Sequence, residues 1–240
     1  MDRGLWITWY DLPSAGRADY LAWLHESYIP EIAQRPGFLW GAHYAAVADK
    51  IPTSRTTSTM DPDVPTGGQY ILMFGAEDAQ VFGDPVPSEI NADLPVESRK
   101  MLALRIAERV HLMAEYGRVD GPEAQNYKSG LLPANCVQLG TYNTPWQNEE
   151  ELMAYYAQGR LKNMRVLPGC VRTRRLVSVA GWAKHGVAYE FTSLAARNQH
   201  FVGHQEHDPK MAAWTKAMGP RLTHAPGSSN LVQRIWPPMT

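Results

Sequence analysis

Three ionisable side chains near the start of the sequence form a candidate acid–base group: Asp11, His25 and His43. Histidine changes charge readily near neutral pH and therefore serves as a general acid or base. In a strand, His43 shares its face with small or apolar residues that leave a hollow around its ring: Leu39, Gly41, Ala45 and Val47. If Asp11 contacts either ring, it would fix the tautomer and raise the basicity. The alternatives are a hydrogen-bonded core histidine at position 43 and an aspartate that only caps the turn before Pro13.

Aromatic side chains near these residues are candidate walls of a pocket. The chain contains eight Trp and eleven Tyr, enough to line a site for a flat ligand. The candidate substrate-binding residues are Trp9, Tyr10, Tyr28, Trp40 and Tyr44. Simple core packing is the alternative for each of them.

A second group of histidines, His200, His204 and His207, has partial metal-ligand spacing. His200 and His204 are four residues apart and would share one face of a helix, as in some zinc sites. Phe201 stands where such a motif has glutamate, and zinc also needs converging supporting groups. A solvated helix end is therefore preferred, and we predict no metal site.

Arg172, Arg174 and Arg175 form a basic run, in which Arg172 and Arg174 share one face of a strand. This face would bind a carboxylate or phosphate, or it would protect an exposed sheet edge by charge. The sequence has no glycine-rich nucleotide loop, no serine-centred elbow and no CxxC pair, which disfavours nucleotide, serine-hydrolase and thiol-redox chemistry. No cofactor is predicted.

The composition restricts the partners and the compartment. The net charge of −1 disfavours nucleic acid as the main partner, and no run of 18 apolar residues indicates a membrane span. The chain starts with a strand-like run rather than a signal-peptide pattern. Two cysteines provide no disulfide framework, which favours the reducing cytoplasm.

The elements that must position the candidate residues follow from periodicity and turn residues. In the first half we predict strands at Leu5–Tyr10, Phe38–Val47, Gln69–Gly75 and, ambiguously, Ala107–Tyr116, with helices at 18–34, 77–82 and 96–104 and a long loop from Asp49 to Gly68. In the second half we predict strands at Cys170–Val179, Val187–Ser193 and Asn230–Trp236.

The second half repeats the plan of the first at a constant offset. Tyr10-Asp11-Leu12-Pro13 returns as Tyr142-Asn143-Thr144-Pro145, and Pro36-Gly37 returns as Pro168-Gly169, both 132 residues later. The positions aligned with Asp11, His25 and His43 hold Asn143, Ala157 and Arg175. We therefore predict two units, 1–128 and 129–240, with any pocket in the first.

Each unit reads as βαββαβ, which forms a four-stranded antiparallel sheet with its helices on one face. The strands carry bulky residues on both faces, for example Trp6 and Tyr10 against Ile7 and Trp9, as a doubly covered sheet requires. The predicted fold is α+β: two ferredoxin-like units packed sheet to sheet as an α+β barrel. Because one chain supplies both units, it would be a monomer or a homodimer.

The segment His25-Glu26-Ser27-Tyr28-Ile29-Pro30, followed by Arg35-Pro36-Gly37-Phe38, resembles the first helix and turn of the dimeric α+β barrel superfamily, especially its EthD-like branch. The resemblance implies this barrel as an internal tandem duplication. It also implies a pocket in which a helix histidine acts, a role that only the first half can fill, since Ala157 aligns with His25.

We expect a cofactor-independent enzyme, a lyase, isomerase or cyclase, in which histidine transfers a proton on a small aromatic or polyketide-like molecule. One alternative is an oxidoreductase or monooxygenase, either cofactor-free or dependent on haem. A haem group would need His111 or His200 as its ligand. The other alternative is a non-catalytic ligand-binding or stress-response barrel.

Overall fold

Eight strands close into one antiparallel barrel in the computed structural model, which describes residues 1–47, 57–128, 130–204 and 208–238. The barrel strands are β1 (Gly4–Asp11), β2 (Phe38–Ala46), β4 (Tyr70–Ala76), β5 (Ile106–Asp120), β6 (Cys136–Asn143), β7 (Cys170–Ala180), β8 (His185–Phe191) and β10 (Asn230–Trp236). Two further strands of two residues each, β3 (Thr57–Ser58) and β9 (Thr223–His224), pair with each other, and β9 also pairs with the end of β6. The helices are α1 (Arg17–Trp23), α2 (Ile29–Ala33), α3 (Pro87–Ala92), α4 (Val96–Leu102), α5 (Glu149–Ala154), α6 (Leu161–Val166), α7 (Leu194–His200) and α8 (Pro209–Met218). Within the described ranges, no helix is long and apolar enough to cross a membrane.

The barrel is built from two sheets of the same order. The first half contributes β2-β4-β1-β5 and the second contributes β7-β8-β6-β10, so each half has the ferredoxin-like order second, third, first, fourth. The pairs β5–β7 and β10–β2 join the two sheets at their edges and close the barrel. The predicted α+β barrel is confirmed.

The two Pro-Gly turns have the same geometry. Gly37 has φ of 81° and Gly169 has φ of 78°, a left-handed conformation that favours glycine. In both turns the residue after the glycine donates its backbone N–H to the carbonyl three residues earlier, at 3.1 Å. Equivalent helices are therefore followed by equivalent turns that lead into β2 and β7.

Bulky residues lie on both faces of the strands because the barrel interior covers one face and the helices cover the other. The interior cluster of the first half includes Leu5, Ile7, Trp9, Trp40, Ala42 and Tyr44. The cluster between the first sheet and its helices includes Trp6, Tyr10, Tyr20, Leu24, Tyr28 and Phe74. These two layers decide which candidate residues can meet.

Several local predictions need correction. A bulge at the start of β2 turns Phe38 towards the helix-side cluster and Leu39 towards the interior, against the predicted alternation. Residues 77–82 do not form an α-helix, since Ala79–Gly83 is a 3-10 turn. The next helix, α3, was not predicted; it begins at Pro87, where the missing N–H costs nothing. The predicted loop of 49–68 lies partly outside the described residues, and its described part contains β3.

Strand β7 is not an edge strand, so the prediction that its arginines protect an exposed edge is wrong. It pairs with β5 on one side and β8 on the other. Arg172 lies 3.4 Å from Asp120, and Arg174 is buried between Asp2 at 3.0 Å and Glu115 at 2.5 Å. Arg174 therefore joins β7 to Glu115 of β5 and to the residue Asp2 that precedes β1.

Candidate functional site

Tyr10, His43 and His25 form a hydrogen-bonded chain between the first sheet and its helical layer. Oη of Tyr10 lies 2.8 Å from Nε2 of His43, and Nδ1 of His43 lies 2.9 Å from Nε2 of His25. Both ring nitrogens of His43 are therefore occupied. In the described part of the chain, Nδ1 of His25 makes no hydrogen bond, so it is the nitrogen available to a ligand.

Three elements bring these side chains together. Tyr10 on β1 and His43 on β2 point towards the helices, because alternate residues of each strand point into the barrel. His25 lies in a π-helical turn, Leu24–Tyr28, between α1 and α2. There the backbone N–H of Ile29 bonds to the carbonyl of Leu24, five residues earlier. Such π-turns are frequent at functional sites.

Burial keeps the side chains of Tyr10, His43 and His25 in their neutral forms. His43 is fully buried, and burial, together with the charges of His25 and Arg105, holds its pKa well below the usual value. Burial also lowers the pKa of His25, which is half-buried. Burial raises the pKa of Tyr10 well above 10, so the phenol keeps its proton. At neutral pH, His25 is therefore an unprotonated base.

Three residues that sequence reasoning missed complete the surroundings. Tyr70 stacks on His43 with ring centroids 5.2 Å apart, and Trp236 stacks on His25 at 6.0 Å. The guanidinium of Arg105 lies 4.8 Å from the centre of the Tyr10 ring. Trp236 pairs with His43 in the β10–β2 ladder. No local pattern marks these residues, since each meets the histidines through pairing of distant segments.

Asp11 does not contact the histidines. Its Oδ1 accepts hydrogen bonds from the backbone N–H groups of Gly68 and Gln69, at 2.9 and 2.7 Å. The aligned Asn143 accepts in the same way from the backbone N–H of Lys184, at 2.6 Å. Asp11 therefore joins the end of β1 to the segment before β4, which is neither the predicted capping of the turn before Pro13 nor the orienting of a histidine.

The five aromatic residues predicted to bind substrate do not line one pocket. Trp9, Trp40 and Tyr44 face the barrel interior, whereas Tyr10 and Tyr28 lie on the helix side of the sheet. The interior three use their polar atoms within the core, where the partners are Asn230, Asp2 and the carbonyl of Ala134. Tyr10 remains beside the histidines, while Tyr28 donates to Asn91 at 2.8 Å.

A haem group does not fit at His111, one of the two histidines suggested as its ligand. His111 is fully buried inside the barrel, with the Trp9 ring 5.1 Å away. A Cβ atom added to Gly181 would lie 2.4 Å from the His111 ring, so backbone already covers that ring. His200 ends α7, and the buried Phe201 after it packs in the second-half core.

The histidines considered as metal ligands do not converge either. Helix α7 ends at His200, so His204 lies beyond it and the two do not share a helix face. The His204 ring stacks on Phe201 at 4.8 Å and lies 3.2 Å from Nη1 of Arg160. His207 lies outside the described residues. Across the described ranges, no three metal-binding side chains cluster.

A cavity of about 340 Å³ lies in the second half, between α5 and strands β7 and β8. The lining residues are Tyr116, Glu149, Glu150, Leu152, Met153, Arg175, Val177 and His185. The prediction that any pocket belongs to the first half does not account for this cavity.

Known structures share this fold. An anthrone oxidase-like protein has a TM-score of 0.62 at 10% identity, over 98% of this chain and 92% of the other. A proposed monooxygenase from Fusobacterium nucleatum has a TM-score of 0.59 at 9% sequence identity, over 98% of this chain and 93% of the other. An encapsulated DyP-type peroxidase from Mycobacterium smegmatis has a TM-score of 0.56 at 12% sequence identity, over 100% of this chain and 97% of the other.

These neighbours are α+β barrel proteins, as the resemblance implied. No protein-family model matches the sequence, and no curated protein matches it. At such low identity the likeness shows the fold alone.

Proposed function

We propose that this chain is a cofactor-free oxidoreductase that removes a proton from a phenolic or anthrone-like substrate at His25. The proposal rests on the hydrogen-bonded series Tyr10–His43–His25, which ends at a ring nitrogen that has no hydrogen-bond partner among the residues the structure describes. The structural neighbours, among them the anthrone oxidase-like protein, support oxidoreductase chemistry over the lyase or isomerase reaction that we expected from the sequence.

In this mechanism, Nδ1 of His25 takes a proton from the acidic methylene of an anthrone, and the substrate becomes a delocalised carbanion. For this to occur, Nε2–H of His25 donates to Nδ1 of His43, and Nε2–H of His43 donates to Tyr10 Oη. His43 stabilises the imidazolium that forms on His25, as the orienting group of a catalytic triad does. Because burial disfavours protonation of His43, the proton stays on His25.

The oxidant is dioxygen. The carbanion adds to O2, and the peroxide anion takes the proton back from the His25 imidazolium to give a hydroperoxide. Loss of water then leaves a carbonyl at the former methylene carbon. One anthrone and one O2 thus give one anthraquinone and one water, and His25 ends unprotonated as it began.

Oxygen uptake distinguishes this reaction from the alternatives. A lyase, isomerase or cyclase at the same histidine would begin with the same proton abstraction but consume no O2. A non-catalytic binding barrel would show ligand binding without turnover. One experiment that follows O2 and substrate together therefore distinguishes the oxidase from both a non-oxidative enzyme and a binding protein.

The test uses purified protein with anthrone in an oxygen electrode, alongside anthraquinone absorbance. We expect one O2 consumed per anthrone, and a loss of about 100-fold or more in the protein-dependent rate in His25→Ala, the size of a general-base contribution. His200→Ala, a half-buried histidine at the end of α7, is the matched control. An unchanged rate in His25→Ala, or turnover without O2 uptake, would contradict the proposal.

The two units, 1–128 and 129–240, are part of the same proposal. We infer that they arose by tandem duplication within the EthD-like branch. The equal sheet orders and the matching Pro-Gly turns support this inference. After duplication, only the first unit kept a histidine in its π-turn, because Ala157 occupies the aligned position.

A further inference from the structure

Arg175 is a buried cation that no carboxylate neutralises in the described part of the chain. Its neighbour Arg174 is equally buried, but Arg174 contacts Asp2 and Glu115. Arg175 instead donates from Nε and Nη2 to Oη of Tyr116, at 3.0 and 2.8 Å, and from Nη1 to Oη of Tyr142. A buried charge is costly unless an opposite charge accompanies it. The adjacent residues Arg174 and Arg175 of β7 therefore differ: Arg174 contacts two carboxylates, and Arg175 contacts none in the described part of the chain.

The partners of Arg175 are neutral groups. Burial raises the pKa of Tyr142 to about 12, although Arg175 opposes this rise, so the phenol keeps its proton at neutral pH. The guanidinium also lies 3.5 Å from the centre of the Tyr156 ring, which is buried. An arginine has five N–H groups, and the phenols accept three of them. Among the described residues, the other two N–H groups, on Nη1 and Nη2, have no hydrogen-bond partner and are available to a ligand.

The second-half cavity described above lies beside Arg175, and side-chain size explains why it is in this half. Two residues of its wall, Leu152 and His185, correspond to Tyr20 and Tyr70 of the first half, by the 132-residue offset and by the strand register. Tyr20 and Tyr70 are buried in the first-half core. Leucine and histidine are smaller than tyrosine, so the same positions leave open space in the second half.

The walls of this cavity combine one inner cation with apolar side chains. Leu152, Met153 and Val177 supply the apolar surface. Glu149 also lines it, but Nζ of Lys184 lies 2.5 Å from this carboxylate. Glu150 is exposed at the rim. The uncompensated charge inside the cavity is therefore positive.

We propose that this cavity is a binding site for a small organic acid, with the carboxylate on Arg175 and an apolar body against Leu152, Met153 and Val177. A carboxylate matches the paired N–H groups of a guanidinium and supplies the missing negative charge. The site is separate from His25 and His43, which lie in the other half of the barrel.

The test measures binding of 3-phenylpropionate by isothermal titration calorimetry, with 3-phenylpropionamide as the uncharged match. The acid is expected to bind saturably and at least about tenfold more tightly than the amide, since a hydrogen bond to a charged group contributes that much. Arg175→Gln removes the charge. Leu152→Tyr restores the first-half residue and fills the cavity while leaving Arg175 in place.

Both variants are expected to weaken binding of the acid by about tenfold or more. Arg172→Gln changes another arginine of β7, which contacts Asp120 outside the cavity, and should bind as the unaltered protein does. If Arg175→Gln fails to fold, Leu152→Tyr still decides the question. Equal binding of acid and amide, no saturable binding of the acid, or full binding by Leu152→Tyr would overturn the proposal.

Discussion

At the scale of single residues, His25 and His43 have different roles although both are histidines. His43 is fully buried between Tyr10 and His25, with each ring nitrogen occupied. His25 is half-buried and keeps one ring nitrogen available. We therefore assign proton transfer to His25, and to His43 the positioning of that ring.

The rate of the proposed reaction should depend on the protonation of His25. Burial lowers the pKa of His25, so the free base is the major form above the usual histidine value of about 6.5. As the pH falls through that lowered pKa, the base becomes protonated and kcat/KM should fall. A pH–rate profile checks this prediction. A rate that rises as the pH falls would contradict His25 as the base.

Asp11 provides a test that separates a structural role from a catalytic one. Asp11→Asn keeps an oxygen acceptor for Gly68 and Gln69, as Asn143 does in the second half, so stability and activity should change little. Asp11→Ala leaves two backbone N–H groups unpaired and should cost about 1 to 3 kcal/mol in free energy of unfolding. Urea denaturation and kcat/KM measure both. A large activity loss in a stable Asp11→Asn would restore its proposed acid–base role.

Residue types alone predicted part of the site. Histidine chemistry pointed to His25 and His43, and strand alternation placed Trp9 and Tyr10 on opposite faces. The sequence indicated that both faces of the strands are buried, but it did not show which layer contains the histidines, so Trp9 and Trp40 were not separated from Tyr28. Arg105 could not be predicted from the sequence, because it contacts Tyr10 only through tertiary packing.

At the scale of elements, the position of His25 depends on how closely its helical segment approaches the sheet. Gly41 on β2 allows this approach, because a Cβ atom there would lie 2.5 Å from Cγ2 of Ile29. Ile29 directly follows the π-turn that holds His25. The second half also has a π-turn, Tyr155–Arg160, although Lys162 replaces the Pro30 of the first half. Proline at this position is therefore not required for the π-turn.

Gly41→Ala should move α2 away from β2 and displace His25 from His43. We expect a loss of about 1 to 3 kcal/mol in stability from overpacking, and a larger fractional loss of activity than of folded protein. Gly83→Ala is the control, since a Cβ atom at Gly83 meets nothing within 4 Å. Thermal unfolding and the oxygen assay measure the two effects. Equal activity per folded molecule in both variants would show that the activity does not depend on the close approach of the helical segment at Gly41.

The elements themselves were largely predictable from sequence. The Pro-Gly turns, the apolar strands and the final strand follow from local turn chemistry and alternation, and β10 was predicted with its observed bounds. The bulge in β2 and the 3-10 turn after β4 were not predictable from the sequence, because strand pairing and packing determine where they form.

At the scale of the whole molecule, folding buries several histidines in neutral form, some in the barrel interior and some beneath the helices. Burial lowers the pKa of His25, His43, His185 and His224, and burial together with the charge of Arg109 lowers that of His111 to about 4. In the unfolded chain each would titrate near 6.5. The unfolded state therefore binds more protons below that pH.

Linkage then predicts how stability depends on pH. Stability should vary little through these histidines above about pH 6.5 and fall as the pH drops below it, continuing until the folded-state pKa values are reached. Urea unfolding at pH 7.5, 6.5 and 5.5 measures the change. His111→Phe, which removes one buried titrating ring, should reduce the pH dependence. Stability that rises between pH 6.5 and 5.5 would contradict the neutral, buried state of these rings.

The cavity beside Arg175 also belongs to this scale, because it arises from a difference between halves of the same plan. Tyr20 and Tyr70 fill the first half, whereas Leu152 and His185 leave space in the second. The offset of 132 residues predicted the correspondence of positions. It did not show the open volume, which depends on how neighbouring side chains pack.

The measurement that tests the central claim most directly is hydrogen–deuterium exchange of the anthrone methylene in D2O without oxygen, followed by NMR. Proton abstraction is then observed apart from oxidation. If His25 removes the proton, exchange should be protein-dependent and faster than in buffer, unchanged in His200→Ala and reduced to the buffer rate in His25→Ala. Exchange that persists in a folded His25→Ala, or oxygen-dependent turnover by a protein that catalyses no exchange, would contradict proton removal by His25.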